Sequence, residues 1–173
     1  MGQTYQIKQK TTIGRYTMNF ISVHNDIKKN ASYDWLTESQ KFVFDKIIDN
    51  KVYNFINVYG NSGTGKTFLG WVLQKNGHAS YFVDKDEITD NCNIVVIDNG
   101  SNSREGYREI LRIMELNKIK ICIYLTKNKV DDKVFSLKLD FKNSDVDKIE
   151  KNLDSIGVSP KNIQSNNLWK LIF

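Results

Sequence analysis

The sequence predicts an α/β protein of three layers, with helices on both faces of a mainly parallel sheet. The order of its segments supports this. Short apolar runs, FINVY (55–59), ASYFVD (79–84), NIVVID (93–98) and KICIYLT (120–126), are separated by stretches of helical periodicity or by polar connections. A glycine-rich turn, GNSGTGKT (60–67), stands between the first run and the helix that follows it. The third run ends in an acid, Asp98.

Taken in order, residues 1–30 carry some alternation in TYQIKQ and RYTMNFISV, which allows one or two short strands. Met18 offers an internal start that would make the first seventeen residues a dispensable extension. Thr37 to Gln40 reads T-x-x-Q, a capping box, so a helix starts there with Phe42, Phe44, Ile47 and Ile48 on its apolar face. The glycine-rich turn opens a helix from about Lys66 to Asn76, stopped by Gly77. SREGYREILRIMELN (103–117) is helical in period, and VFSLKLDF (134–141) alternates as a fifth strand would. Ser144 can cap a helix over DVDKIEKNLDSI that Gly157 ends. Ser159 and Pro160 then read as an N-cap and first position of a last short helix.

Composition bounds the answer. A chain of 173 residues with 40% apolar content and a mean hydropathy of -0.47 suits one domain with a single core. No apolar run approaches the roughly 20 residues that span a bilayer, and the polar start MGQTYQIKQKTT has no signal-peptide core. The reading is therefore cytoplasmic, without membrane contact. The formal charge of +5 permits nucleic-acid binding, but a solvated lysine surface accounts for it equally well. Cys92, Cys122, His24 and His78 have neither disulfide nor metal-ligand spacing.

The segment from Gly60 to Thr67 spells G-x-x-x-x-G-K-[ST], the phosphate loop of a P-loop NTPase. Gly60, Gly63 and Gly65 let the backbone curl and turn its N–H groups inward, together with Asn61, Ser62 and Thr64. The helix that starts at Lys66, Thr67 and Phe68 adds the positive end of its dipole. Lys66 reaches β- and γ-phosphate oxygens, and the Thr67 hydroxyl ligates Mg²⁺. Asp98, at the end of IVVID, supplies the second half of the site by holding Mg²⁺ through water. The cofactors expected are ATP and Mg²⁺. Asn99 follows Asp98 where a water-polarising acid is common in ATPases of this architecture. An amide can orient a water but cannot take its proton, so hydrolysis is expected to be slow.

On these residues the chain resembles the AAA+ ATPases, and within them the replication initiator DnaA and its shorter regulatory relatives. YGNSGTGKTFL looks like that clade's phosphate loop and VVIDN like its second acidic motif. ICIYLTKN is similar to the strand that carries a polar sensor, which would make Asn128 the sensor. LKLDFKNSDVDKIEKNLDSIGVSP is similar to the entry into the family's helical lid. The resemblance implies an N-terminal extension over 1–35, a nucleotide-binding core over 36–142 and a reduced, minimal helical lid over 143–173. It also implies a role accessory to DNA replication, as an initiator-related regulator or helicase-loader-like protein, with a replication protein, DNA or its own copies as partners. The departures from the family matter too. The helix after the second strand is lost or reduced to DKDEITD, and KVDDKVFSL carries no arginine where the family's finger stands, Lys133 being the nearest cation. Without that arginine, self-association is expected to be weak. Arg104, Arg108 and Arg112 form an i, i+4, i+8 stripe, read first as a solvated helix face and second as a surface for phosphates or a partner.

A rival reading lies in the same residues. Asn128 to Asp131 spells N-K-x-D, which reads guanine in GTPases. Asp98 is followed by NGS, so D-x-x-G is not met, and the interval from the phosphate loop to Asp98 leaves little room for a switch loop. ATP is therefore favoured over GTP. A GTPase-like switch, or a transposition or phage ATPase of the same fold, is the alternative.

Overall fold

The computed structural model describes residues 21–88 and 92–159. Residues 21–29 are helical (α1). They are followed by a 3-10 turn, Tyr33–Trp35, and then α2 (Glu38–Ile48), β1 (Phe55–Tyr59), α3 (Lys66–Lys75), β2 (Ser80–Phe82), β3 (Ile94–Gly100), α4 (Arg104–Leu116), β4 (Ile121–Thr126), β5 (Ser136–Lys138) and α5 (Val146–Ser155). The strands form one sheet in the order β2-β3-β4-β1-β5, and every pairing is parallel. Their C-terminal ends therefore share one edge, where Gly60, Asp98 and Thr126 come together.

Alternation along the central strands divides the core into two layers. Ile56 and Val58, Val96, Ile123 and Leu125 face α2 and α3, where they pack with Phe44, Leu69 and Val72. Phe55, Val95 and Ile97, Cys122 and Tyr124 face the other side, against Ile110 and Met114 of α4. Strands covered on both faces explain why their sequences read as near-continuous apolar runs. No helix among the described residues is long and apolar enough to cross a membrane.

The capping box at α2 forms as its spacing predicts. The Gln40 N–H donates to Thr37 Oγ1 (3.3 Å) and the Thr37 N–H to Gln40 Oε1 (3.0 Å). Several expectations need correction. Ile21 to Val23 are helical rather than extended, because α1 lays Ile27 against the core and sets His24 edge-on to Trp71 at 5.1 Å. Phe42 is 61% exposed, and Val43 takes its place inside, because the helix turns positions 43, 44 and 47 toward the sheet. The reduction expected between β2 and β3 is seen, by contrast: the described residues there carry one 3-10 turn, Lys85–Glu87. Asp145, not Ser144, is the N-cap of α5. Its carboxylate, 1% exposed, is committed elsewhere, accepting from the Ser39 N–H (3.2 Å) and the Lys142 N–H (2.9 Å). The extension before residue 21 and the last helix expected after Pro160 lie outside the described residues.

One polar side chain sits at the centre of the sheet. Asn57 is 0% exposed. Its amide donates to the Tyr124 carbonyl (3.0 Å) and to Thr126 Oγ1 (2.8 Å), and its Oδ1 accepts from the Val130 N–H (3.2 Å). It ties β1 to the loop that leaves β4. Asn57→Ala strands the Val130 donor in the interior and opens a small void, so unfolding in urea is expected to show a loss of about 2–4 kcal/mol. A loss below about 0.5 kcal/mol, the range of ordinary surface substitutions, would mean that this network carries no weight.

Candidate functional site

The glycine-rich turn starts where β1 ends. The Gly60 N–H donates to the Thr126 carbonyl (3.3 Å), fixing the turn to β4. Gly63 and Gly65 take φ of 81° and 89°, a left-handed backbone that only glycine adopts without strain. Gly65 is the N-cap of α3. Thr64 is buried, and its hydroxyl donates to the Asn61 carbonyl (3.0 Å), closing the curl from inside. Lys66 folds back over the turn, its ammonium donating to the carbonyls of Gly60 (2.6 Å) and Asn61 (2.9 Å). Burial pulls the Lys66 ammonium below the usual lysine range, and the charge of Asp98 opposes that shift.

Asp98 closes the other side. It is 7% exposed, and both of its oxygens accept hydrogen bonds. Thr67 Oγ1 donates to Oδ2 at 2.7 Å, the Tyr81 hydroxyl donates to the same oxygen at 2.6 Å, and the Asn99 N–H donates to Oδ1 at 2.8 Å. Asn99 is left-handed at φ 52°, where the β3–β4 register slips between Ile97 and Gly100. Asparagine tolerates that conformation better than most residues. Burial is the largest cause pushing the Tyr81 phenol up, followed by its hydrogen bond to Asp98 and the charge of that group; Trp71 acts the other way.

These groups line one end of a cleft of about 330 Å³ that Ser62, Gly63, Lys66, Thr67, Asp98 and Asn99 share with an apolar end. Ile27, Trp35, Phe68, Trp71, Ile149 and Leu153 form that second end. α5 roofs it and is held down by Asn152, whose amide donates to the Trp35 carbonyl at 2.7 Å. Gln40 Nε2 donates to the Gly65 carbonyl (3.3 Å), joining the cap of α2 to the turn.

No cluster of three His, Cys, Asp or Glu that could hold a metal exists among the described residues. Asp98 and Thr67 alone suit a hard cation that takes its remaining oxygens from water and from a phosphate, which is how Mg²⁺ is ordinarily held.

Among the residues expected to act, Lys66, Asp98 and Asn99 meet at the cleft. Asn128 does not line it. Its carbonyl accepts from Thr126 Oγ1 (2.7 Å) and its N–H donates to Asn102 Oδ1 (3.0 Å). The rest of N-K-x-D is also outside: Lys129 pairs with Asp132 (3.2 Å), and Asp131 accepts from the Lys133 N–H (2.9 Å). Arg104, Arg108 and Arg112 are exposed on α4. Sequence reasoning missed Trp35, Tyr81, Trp71 and the contacts of α5, whose Ile149 and Leu153 lie at i, i+4.

No family model matches the chain, and no curated protein matches it. Solved structures do. A DNA replication initiation factor superposes with a TM-score of 0.54 at 16% identity, over 79% of this chain and 59% of that one. AMPPCP-bound DnaA from Aquifex aeolicus gives 0.54 at 16% identity, over 79% and 60%. Replication initiator DnaA bound to AMPPCP and single-stranded DNA gives 0.51 at 17% identity, over 75% and 57%. The chain shares its fold with these structures and spans about three fifths of their length.

The turn is also held by Leu139, the residue that follows β5. A Cβ at Gly60 would run into the Leu139 carbonyl and approach Thr64 Oγ1 to 3.2 Å. Gly60→Ala is expected to lower stability by about 1–3 kcal/mol through this overpacking, read as a lower urea midpoint at unchanged slope. An unchanged midpoint would mean that the start of the turn yields freely.

Proposed function

We propose that the cleft binds ATP with Mg²⁺ and that the chain serves as a nucleotide-dependent switch or slow ATPase accessory to DNA replication, as an initiator-related regulator or helicase-loader-like protein. The observation that carries this reading is the 2.7 Å contact of Thr67 with buried Asp98 beside the mouth of a glycine-rich turn at a helix N-terminus. The fold likeness to DnaA structures holding AMPPCP, in one case with single-stranded DNA, supports it.

Each residue has a definite task in this reading. The inward N–H groups of residues 61–66 and the start of α3 bind phosphate oxygens. Lys66 exchanges its two carbonyl partners for β- and γ-phosphate oxygens. The base lies at the apolar end, against Trp35, Phe68 and Trp71 under Ile149. Adenine fits this end better than guanine, because Asp131 is held in a turn away from the cleft. Mg²⁺, when bound, neutralises phosphate charge and polarises the bond to be broken; Thr67 and Asp98 hold it. Asn99 orients a water at the same end. No arginine among the described residues lines the cleft, and in this reading a partner, whether a replication protein, DNA-bound neighbour or weakly associated second copy, supplies a cation beside Lys66 for the transferred group.

Calorimetry tests the binding half. Lys66→Ala removes charge-assisted hydrogen bonds of about 1.5–3 kcal/mol each, so ATP binding is expected to fall at least about a hundredfold, with the far-ultraviolet dichroism unchanged. Equal ATP affinity in the variant, or GTP displacing ATP in competition, would sink the reading of the cleft.

Turnover tests the other half. Absence of an arginine-finger contribution costs about 10³–10⁵ in rate in related phosphoryl transfers, so the isolated chain is expected to hydrolyse ATP far below the usual range of roughly 1–10³ per second. Asn99→Glu raises the rate if the water-positioning acid is the sole deficit, and leaves it low if the missing cation dominates. Ordinary enzyme rates from the unmodified chain alone would refute the slow-switch reading.

A further inference from the structure

Asp98 Oδ2 accepts two hydroxyl donors, and only Thr67 belongs to the phosphate-loop motif. The other, Tyr81, stands on the edge strand β2, opposite Val96 in the ladder with β3. Its hydroxyl reaches the carboxylate at 2.6 Å, the shortest of the three donors. The ring is seated by a missing side chain: a Cβ at Gly70 of α3 would come within 2.7 Å of Tyr81 Cε2 and 2.8 Å of Cδ2.

Thr67 and the Asn99 N–H alone would leave the carboxylate pinned by one contact at each oxygen, both from groups that border the cleft and face any occupant. Tyr81 approaches from a neighbouring strand and is fixed by packing, so it holds the plane of the carboxylate independently of the phosphate loop. We propose that Tyr81 is a positioning residue for the divalent-cation site: by fixing Asp98 it sets how strongly Mg²⁺ strengthens nucleotide binding. This rests on the reading of the cleft as a Mg²⁺–nucleotide site. Partners of this outer kind are worth about 10–100-fold in metal affinity where they have been removed. Gly70 has a part in the same device, because its lack of a side chain is what lets the phenol reach the acid.

The test compares the affinity of the full chain for a non-hydrolysable ATP analogue in excess Mg²⁺ and in EDTA, by calorimetry. In the unmodified protein Mg²⁺ is expected to tighten binding. In Tyr81→Phe, which keeps the ring and its packing, the ratio of the two affinities is expected to fall about tenfold, the low end for an outer-shell partner. Gly70→Ala displaces the same hydroxyl without deleting it and is expected to lower the ratio in the same direction. An unaltered ratio in Tyr81→Phe, or an equal loss of affinity with and without Mg²⁺, overturns the proposal, the second result marking a merely structural tyrosine. Failure of the unmodified chain to bind the analogue under either condition overturns the reading of the cleft itself, and the positioning role with it.

Discussion

A single buried carboxylate joins the parts of the site. Asp98 takes donors from the first turn of α3, from β2 and from the backbone that follows it. Burying a charge costs several kcal/mol after relaxation, while a hydrogen bond to a charged acceptor returns about 1.5–3 kcal/mol. Making all three such bonds together offsets a penalty of that size. That condition fixes where α3 begins, how far β2 reaches and how β3 ends. The slip in the β3–β4 register after Ile97 and the left-handed backbone at Asn99 belong to the same arrangement, because they bring the Asn99 N–H round to Oδ1.

The parallel sheet makes that convergence possible. With β4 between β1 and β3, the turn after β1 and the acid near the end of β3 are separated by one strand, and the gap is spanned by α3 through Thr67. The end of β4 is engaged inward instead. Thr126 accepts from Asn57 and donates to the Asn128 carbonyl, and Val130 is bound to Asn57. One polar network therefore holds the loop after β4 inside the fold, and a second one faces the cleft. The division explains why Asn128, expected as a sensor, is engaged through its backbone away from the cavity.

What could be read from the sequence was what local rules encode. The capping box at Thr37 and Gln40, the glycines at 63 and 65, and the acid after IVVI each require their residue type at their spacing, and each forms as expected. Phe42 failed because a list of apolar residues does not say which of two adjacent faces a helix turns inward; Val43 and Phe44 decided that through the sheet they meet. Ile21 to Val23 failed for a related reason, since alternation over so few residues is compatible with a helix that buries every fourth position. Tyr81, Trp35 and Asn152 could not be found at all. Their roles arise from contacts between segments 17 and 117 residues apart in sequence, to Asp98 and between Asn152 and Trp35 respectively.

The segment from Trp35 to Gln40 connects what would otherwise be independent parts. Its Trp35 carbonyl accepts from Asn152 of α5, and its Ser39 N–H donates to Asp145. Gln40 reaches the Gly65 carbonyl at the start of α3 while its own amide oxygen closes the cap of α2. Gly65 is also where the backbone must turn left-handed for the phosphate loop to form. Gln40 thus touches both the start of α3 and the N-terminus of α2, whose Ser39 N–H donates to Asp145, so one short, hydrogen-bonded segment joins the two ends. A ligand shifts a conformational equilibrium only by its differential affinity for the two states, and the atoms that join the turn to α5 are the few named between Gly65 and Asp145.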